Sequence, residues 1–555
     1  MRTFISTIIF LFFAVASSGQ SIALNNDSIC LGSNVTATAM PPSYELATPT
    51  GTNFQNGVMF DVVATYAATI TGFLISPLSN GSTYYLYYRT GTHVGHENSA
   101  SGWTLVDSVN NISAGTNVNP GFNISQSIVA GQTLAFYITS NGSNNMYYGN
   151  GTSVGNTLAS DSYLTIKEGV GKAYLFGTTY TPRTFVGSIL YSPAVTTYAW
   201  NTNNSGSSIT KSPTRSRVYS CNMTLSSGLT TSASAAVLVK AVEVSASANP
   251  SSISSGQSST LTADVTLKRG LSTTQIGGNN QNGAMFDVVA SKSLEITGFT
   301  VNPRNSDAAI EIFYKTGTHV GSEANSNAWT SIGTYANVPS NPGQYLELNT
   351  AIPMVAGQTL AFYITRTDAD YLTYSNGTGI GTIAASASGL AILEGKGVEY
   401  PFGNTYTPRI LNTIIHYTVD PVTNAVYNWS SGGSSASVVV SPAATTTYDV
   451  DVTVGGCTVT ESVTVSVGIG IDELAKSNFK VYPNPATAVL NIDFVNNTKQ
   501  TEISLVDLSG KVLVMQTVEE NTASTTIPVN MLPKGLYLLK LDQNGKTAVF
   551  RIEVM

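Results

Sequence analysis

The sequence predicts an all-β, multidomain chain of β-sandwiches, and three observations carry that prediction. Tyr (28 residues) and Gly (49) are abundant while charged residues make up only 10%, a composition suited to strands and turns. Segments such as VMFDVVA, ATITGFLI, TYYLYYRT, TLAFYIT and TFVGSILY alternate or run apolar over strand lengths, with Asn, Gly, Ser and Pro clusters between them. No stretch of eleven or more residues keeps a helical period. With 555 residues the chain is too long for one core, and about 150 residues per domain gives three to four domains.

Composition also excludes classes of function. Lys and Arg total 25 against 32 Asp and Glu, a net charge of -7, so no positive field is available to hold nucleic acid. Four His and three Cys leave little material for metal or nucleophilic catalysis, and no cofactor or metal site is expected.

The chain opens with Arg2 and an apolar run, Ile8 to Ala16, followed by Ser17, Ser18 and Gly19. A short apolar run with small flanking residues at the N-terminus reads as a signal peptide, assigned to residues 1–20. No later stretch approaches the ~18 apolar residues of a membrane span, so no transmembrane anchor is expected.

A long internal repeat follows. NGVMFDVVA at 56–64 returns as NGAMFDVVA at 282–290, TGTHVG at 90–95 returns at 316–321, and AGQTLAFYIT at 130–139 returns unchanged at 356–365. Asp61, His93, Tyr137 and Arg183 match Asp287, His319, Tyr363 and Arg409 at a constant spacing of 226. This is a duplicated large module, not an array of short units with periods of about 20–50 residues. Many short strands over ~140 residues suggest a two-sheet, jelly-roll-like sandwich, placed at 48–191 and 272–419.

Shorter patterns flank each copy. DSICLGSNVTATA (27–39) and SSISSGQSSTLTA (251–263) precede the copies; segments beginning YAW at Tyr198 and YNW at Tyr427 follow them. These flanks resemble the Ig-like modules of secreted Bacteroidetes proteins, in which a Cys-Gly start, a Y-x-W strand, an S-P turn, a Tyr strand and a final Gly-Cys strand form one small sandwich. The resemblance implies two Ig-like domains, 21–47 with 192–244 and 245–271 with 420–468, each carrying a large module inserted into one loop. Four domains in series are the competing arrangement. In the family's terms Cys30 and Cys221 stand at the first and last Cys positions, which implies a Cys30–Cys221 disulfide in an exported protein. Ser254 takes the place of Cys30 in the second domain, leaving Cys457 unpaired, either buried or accessible. Three free cysteines are the alternative.

After a linker at 469–478, residues 479–555 change character. They contain Tyr482-Pro483-Asn484-Pro485, the strand-turn Leu508-Ser509-Gly510-Lys511, Leu532-Pro533-Lys534-Gly535-Leu536-Tyr537, and a last basic-apolar strand. These four blocks, in this order, resemble the type A C-terminal sorting domain of the type IX secretion system. Alternating strands, Pro at an edge, and Gly-Lys and Lys-Gly turns also describe a small sandwich. The resemblance implies a partner, the type IX secretion machinery, export through the outer membrane, and release or attachment to surface lipopolysaccharide. The chain ends FRIEVM, with Met where a basic end is common.

Within the large module, THVGHE (92–97) is no H-E-x-x-H and lies in a turn-like setting; Ser322 replaces His96 in the second copy. No G-x-S-x-G elbow is present. The matched acids are Asp61/Asp287, Glu97/Glu323 and Glu168/Glu394. An enzyme is therefore not expected. Matched aromatics point to binding instead, since ring faces stack on sugars. The candidates are Trp103, Trp329, Tyr148, Tyr374, Tyr180 and Tyr406, with Arg183 and Arg409 in the repeated loop Y-T-P-R. Core packing and strand pairing are the competing roles of these rings. The function expected is a non-catalytic adhesin binding glycan or matrix through two copies, with a purely structural stalk or a secreted carbohydrate-active enzyme as alternatives.

Overall fold

A computed structural model describes residues 15–420, 422–468, 472–473, 478–495 and 498–555. Most of the expected export segment, up to residue 14, and most of the linker at 469–478 lie outside the described residues. Among the described residues the regular elements are β-strands, with a 3-10 turn at Ser326–Ala328. The chain divides into two compact units: one takes in residues up to Glu243, Val265–Asn424 and Val454–Cys457, the other Val244–Asp264, Ala425–Thr453 and Thr458–Met555.

In the first unit, each large module is two facing antiparallel sheets. In copy one the larger sheet runs Thr104–Ile112, Ser82–Thr90, Thr133–Ser140, Gly57–Ala64, Gly169–Lys172, Thr179–Phe185, Met146–Asn150 and Asn53–Gln55. The smaller sheet runs Val15–Ser18, Ser43–Ala47, Gly187–Pro193, Ala68–Ile75 and Gln126–Ile128. Alternation along these strands sends one set of side chains inward. Phe60, Phe73, Phe136 and Phe185 meet there among fully or almost fully buried neighbours, with Phe60 and Phe185 stacked at 4.5 Å. Copy two repeats the larger sheet, and Phe286, Phe299 and Phe362 fill its core, with Phe299 edge-on to Phe362 at 5.1 Å.

The strand Ser43–Ala47 pairs with Gly187–Pro193, Ala47 opposite Ser188. It therefore belongs to the module's smaller sheet, which corrects its assignment to the first small sandwich. In copy two, residues 267–272 pair with Ile414–Val419 in the same way, so the boundary there moves by the same amount. The cause is the same in both: an insertion joined by two neighbouring strands extends their pairing into the inserted sheet.

The first small sandwich draws on both sides of the inserted module. One sheet joins Ser21–Leu24, Val35–Met40 and Ser208–Lys211; the other joins Val195–Trp200, Arg217–Leu225 and Thr230–Asn249, with Ser28–Cys30 parallel to the last. Ile22, Val35 and Ala37 from before the module pack with Trp200, Tyr219, Met223 and Val237 from after it.

The expected Cys30–Cys221 bridge is not formed: Cys30 is bonded to Cys457, and Cys221 is free and buried. Cys221 lies two residues after Tyr219 in the strand Arg217–Leu225, so both side chains face the small core. Burial there pushes the Cys221 thiol's pKa up. Cys30 instead ends the strand Ser28–Cys30 beside Lys240, whose Nζ donates to the Gly455 carbonyl at 2.6 Å. That directs Cys30 to the turn carrying Cys457.

In the second unit, Val426–Trp429, Thr446–Val454, Cys457–Gly468 and Ser252–Ser254 form one sheet, and Trp429 donates its ring N–H to Ser435 at 2.9 Å. The C-terminal sandwich places Phe479–Tyr482, Val489–Phe494 and Ser524–Pro528 against a sheet that includes Lys546–Val554, Gly535–Gln543, Thr501–Val506 and Val512–Val518. Leu490, Ile492, Ile503, Leu505, Leu539 and Ile552 build its core.

Candidate functional site

The larger sheet of each copy carries the candidate residues on both faces: Asp61 and Trp103 lie on the outer face with Met59 and Tyr137, whereas Tyr148 and Arg183 lie on the face of Phe185, towards the inter-sheet core. Its frame is a set of polar pairs present in both copies. His93 is fully buried, its Nδ1 2.7 Å from Asp61 Oδ1, and its backbone N–H donates to the same oxygen at 2.9 Å. Thr92 donates to the other carboxylate oxygen at 2.5 Å. His319, Asp287 and Thr318 repeat the arrangement at 2.7, 2.9 and 2.6 Å. Burial pushes the Asp61 carboxyl up, but hydrogen bonds and charge from His93, with Thr92, outweigh it and hold the pKa below the ordinary range. Asp287 shows the same balance with His319 and Thr318. The other ring nitrogen, Nε2, of each histidine is buried without a hydrogen-bond partner. Among the described residues no three His, Cys, Asp or Glu side chains gather as a metal site would require.

Glu168 and Glu394 are tied into turns. Glu168 accepts from Thr152 N at 2.6 Å and Ser153 N at 2.8 Å. Glu394 accepts from Thr378 N at 2.5 Å and Gly379 N at 2.8 Å. These carboxylates therefore hold loops in place. Burial raises the Glu394 pKa, and the backbone donors more than reverse that, leaving it lowered.

The aromatic candidates separate into two groups. Trp103 and Trp329 point back into small clusters with Tyr137 and Phe176, and with Tyr363 and Phe402. Their ring N–H groups donate to the carbonyls of His96 at 3.0 Å and Ser322 at 2.9 Å. Trp329 is 8% exposed, Tyr148 5% and Tyr374 4%. Rings so covered have no free face for a sugar, which corrects the reading of these three as stacking platforms.

A glycine leaves room for each tyrosine ring: a Cβ at Gly171 would stand 3.3 Å from Tyr148, and one at Gly397 3.2 Å from Tyr374. Arg183 covers Tyr148, its Cζ 5.5 Å from the ring centre, and Arg409 covers Tyr374 at 5.6 Å. Each donates Nη1 to the preceding proline carbonyl, at 2.7 and 2.8 Å, and keeps Nε buried and unpartnered. Tyr180 is half-buried, and Tyr406 is 38% exposed with its hydroxyl donating to Glu399 at 2.6 Å.

Two asparagines complete each patch and were not singled out in the sequence. Asn150 lies opposite Arg183 and Asn53 opposite Tyr148 in the sheet; Asn53 donates to Asn150 at 2.6 Å. Asn279 donates to Asn376 at 2.5 Å in copy two. Both pairs keep the 226-residue spacing, the signal that could have found them.

The sorting residues are placed in the C-terminal sandwich. Asn484 ties the Pro483-Asn484-Pro485 loop to the last strand, donating to the Arg551 carbonyl at 2.7 Å and accepting from Glu553 N at 2.9 Å. Tyr482 is exposed and bonds Asp493 at 3.0 Å. Gly510 takes φ +87 in the turn before Lys511, a conformation that favours glycine. Tyr537 is buried and donates to the Pro533 carbonyl at 2.6 Å, close behind Gly535.

Residues 480–554 match the family described as the secretion system C-terminal sorting domain. The chain is a type IX export substrate. Its destination is the cell surface or the medium. No helix among the described residues is long and apolar enough to cross a membrane. No curated protein matches the sequence. Among solved structures it is similar to a biofilm-associated protein's BSP domain, at 10% identity over 100% of this chain and 99% of that one, with a TM-score of 0.12. It is similar also to a tetra-tandem repeat in the extending region of a large adhesion protein, at 8% identity, 97% and 100% coverage and a TM-score of 0.11. A third is a CBM51-2 and INT domain structure in complex with GlcNAc from Clostridium perfringens ZmpB, at 10% identity, 61% and 88% coverage and a TM-score of 0.10. Likenesses at these scores carry no argument about fold or function.

Proposed function

We propose that this is a non-catalytic adhesin, carried across the inner membrane by residues 1–20, whose two large modules bind neutral glycan or matrix. One observation carries the reading: each copy repeats an arginine over a tyrosine beside an asparagine pair, at the same place on the same sheet. Amides, a guanidinium edge and a tyrosine rim suit hydroxyl-rich ligands. The matched acids Asp61/Asp287 and Glu168/Glu394 are engaged in the His–Asp pairs and the turn loops, which supports recognition over hydrolysis. Two copies raise avidity without a tight single site. A glycan array with the exported protein tests this. Binding should fall at least tenfold in Arg183→Ala with Arg409→Ala, and less in either alone. The burial of Trp329, Tyr148 and Tyr374 favours a second reading, a structural spacer, and silence of the native protein across the array would support that instead. Hydrolysis of any glycan would overturn both.

A further inference from the structure

Copy one contains a group that the binding patch does not use. Lys172 ends the strand Gly169–Lys172 and is fully buried, a costly place for an ammonium without partners. Its Nζ lies 3.0 Å from Asn98 Oδ1 and 2.7 Å from Thr179 Oγ1, and it also donates to the Gly177 carbonyl. Thr179 donates to the same Asn98 oxygen at 3.0 Å. One carboxamide oxygen thus takes two donors, which draws electrons from its carbon, and the amine stands against it. Val170, two residues back on the same face, packs with Tyr137 and Phe176 and shields the lysine side of the contact, while Asn98 stands at the surface. Burial pulls the Lys172 pKa down, opposed by the charge of Glu97. A desolvated lysine is a nucleophile, and fixed contact with its target replaces a bimolecular encounter.

We propose that Lys172 and Asn98 react with each other to form an intramolecular amide cross-link. The Lys172 ammonium first gives up a proton to water. The freed Nζ attacks Asn98 Cγ, while Thr179 holds the oxygen as charge develops on it. The Cγ–Nδ2 bond breaks as the Nζ–Cγ bond forms; Nζ passes its second proton to Nδ2, which takes one more from water and leaves as ammonium. Lysine ammonium and carboxamide become a secondary amide and ammonium ion, so atoms and charge balance without oxidant or cofactor.

Copy two lacks both reacting residues together. Ala324 stands at the position of Asn98 and Val398 at that of Lys172, while Glu323 remains at that of Glu97. A lysine appears instead at 396, where it pairs with Glu323 at 2.5 Å. The copy-two hairpin after Val398 closes with neither partner, Gly403 N bonding the Glu399 carbonyl at 2.8 Å. Hairpin closure therefore does not by itself require Lys172 and Asn98.

Peptide mapping of the full exported chain, reduced and digested, decides the matter. The peptide holding Asn98 should be joined to the one holding Lys172, at their summed mass less one ammonia. The joined species should vanish in Asn98→Ala and Lys172→Val, each of which installs the residue of the other copy, and in Lys172→Arg, which keeps the charge. Recovery of the two native peptides separately, at unmodified masses, would overturn the proposal whether or not any variant folds.

Discussion

The two copies of the large module differ most where their side chains carry charge, and least where polar groups are paired inside the frame. The His–Asp–Thr network, the glutamate that fastens a turn and the arginine over a tyrosine recur with distances matching within 0.1 Å in most cases. Around that frame the charges move. Lys172 gives way to Val398 and Val170 to Lys396. Ser140 becomes Arg366, which is fully buried and donates twice to Asp368 at 2.7 Å. Leu190 becomes His416, buried with Nε2 2.7 Å from Thr300 Oγ1. A buried pair must keep both members, because one alone is stranded in low dielectric. Lys172 and Lys396 stand two residues apart on equivalent strands and so share one face.

The strongest test of the shared frame is removal of its carboxylate. Asp61→Ala and Asp287→Ala should each cost about 3–5 kcal/mol, since each leaves a buried histidine and a backbone N–H unpaired. Chemical denaturation should find equal losses in the two variants. The pKa direction adds a sign. Both aspartates are held below the ordinary value, so their contribution is complete above about pH 3.9, the unfolded value. It is lost as pH falls through the lower folded value. A loss in one copy only would break the equivalence of the two frames.

Much of this was legible in the chain. The 226-residue spacing located the frame, strand alternation gave the all-β class, and four blocks marked the sorting domain. The disulfide was misread because Cys221 was matched to the family's last strand. It stands two residues after Tyr219, within the Tyr strand, whereas Cys457 follows the Gly455-Gly456 turn after Tyr448 and fits the final position. Ring exposure could not be read at all: whether Tyr148 is platform or filler depends on Gly171, two strands away in the sheet. The meeting of Asn98 with Lys172 depends likewise on pairing between distant segments.

The next largest effect should separate the copies by pH. Burial, with the Arg215 charge, pulls the His416 pKa from the usual 6.5 down to about 3. The unfolded chain then takes up a proton that the folded one refuses, so stability falls as pH drops between those values. The slope should approach 1 kcal/mol per pH unit, below the limit of about 1.4. His416→Leu, which installs the copy-one residue, should flatten the profile in this window. An unaltered profile would show that His416 is not the group titrating.

A smaller effect is expected from the buried arginine. Arg366→Ser restores the copy-one residue but leaves the Arg304 carbonyl, 2.6 Å from Nη1, without its donor. The expected cost is about 2 kcal/mol, the range of hydrogen bonds to charged groups, because Asp368 is partly exposed and recovers water. Urea denaturation measures it. A neutral result would mean that the copy-one loop chemistry fits the copy-two backbone.

The smallest effect concerns the lysine that moved. Lys396 and Glu323 form a 2.5 Å ion pair with side chains 17% and 14% exposed. Burial raises the Glu323 pKa, while the hydrogen bond and charge from Lys396 more than reverse that and hold it lowered. Such a pair gains from attraction but loses hydration, so the net is small. Lys396→Val, which copies position 170, should cost only about 0.5–1 kcal/mol, and the difference should shrink in high salt as the charges are screened. Lys172→Val should cost more than this, because in copy one the lysine side chain is fully buried and its removal takes a donor from the Gly177 carbonyl. Equal losses in the two variants would mean that the lysines do the same work from two places, and that the copies differ in position but not in kind.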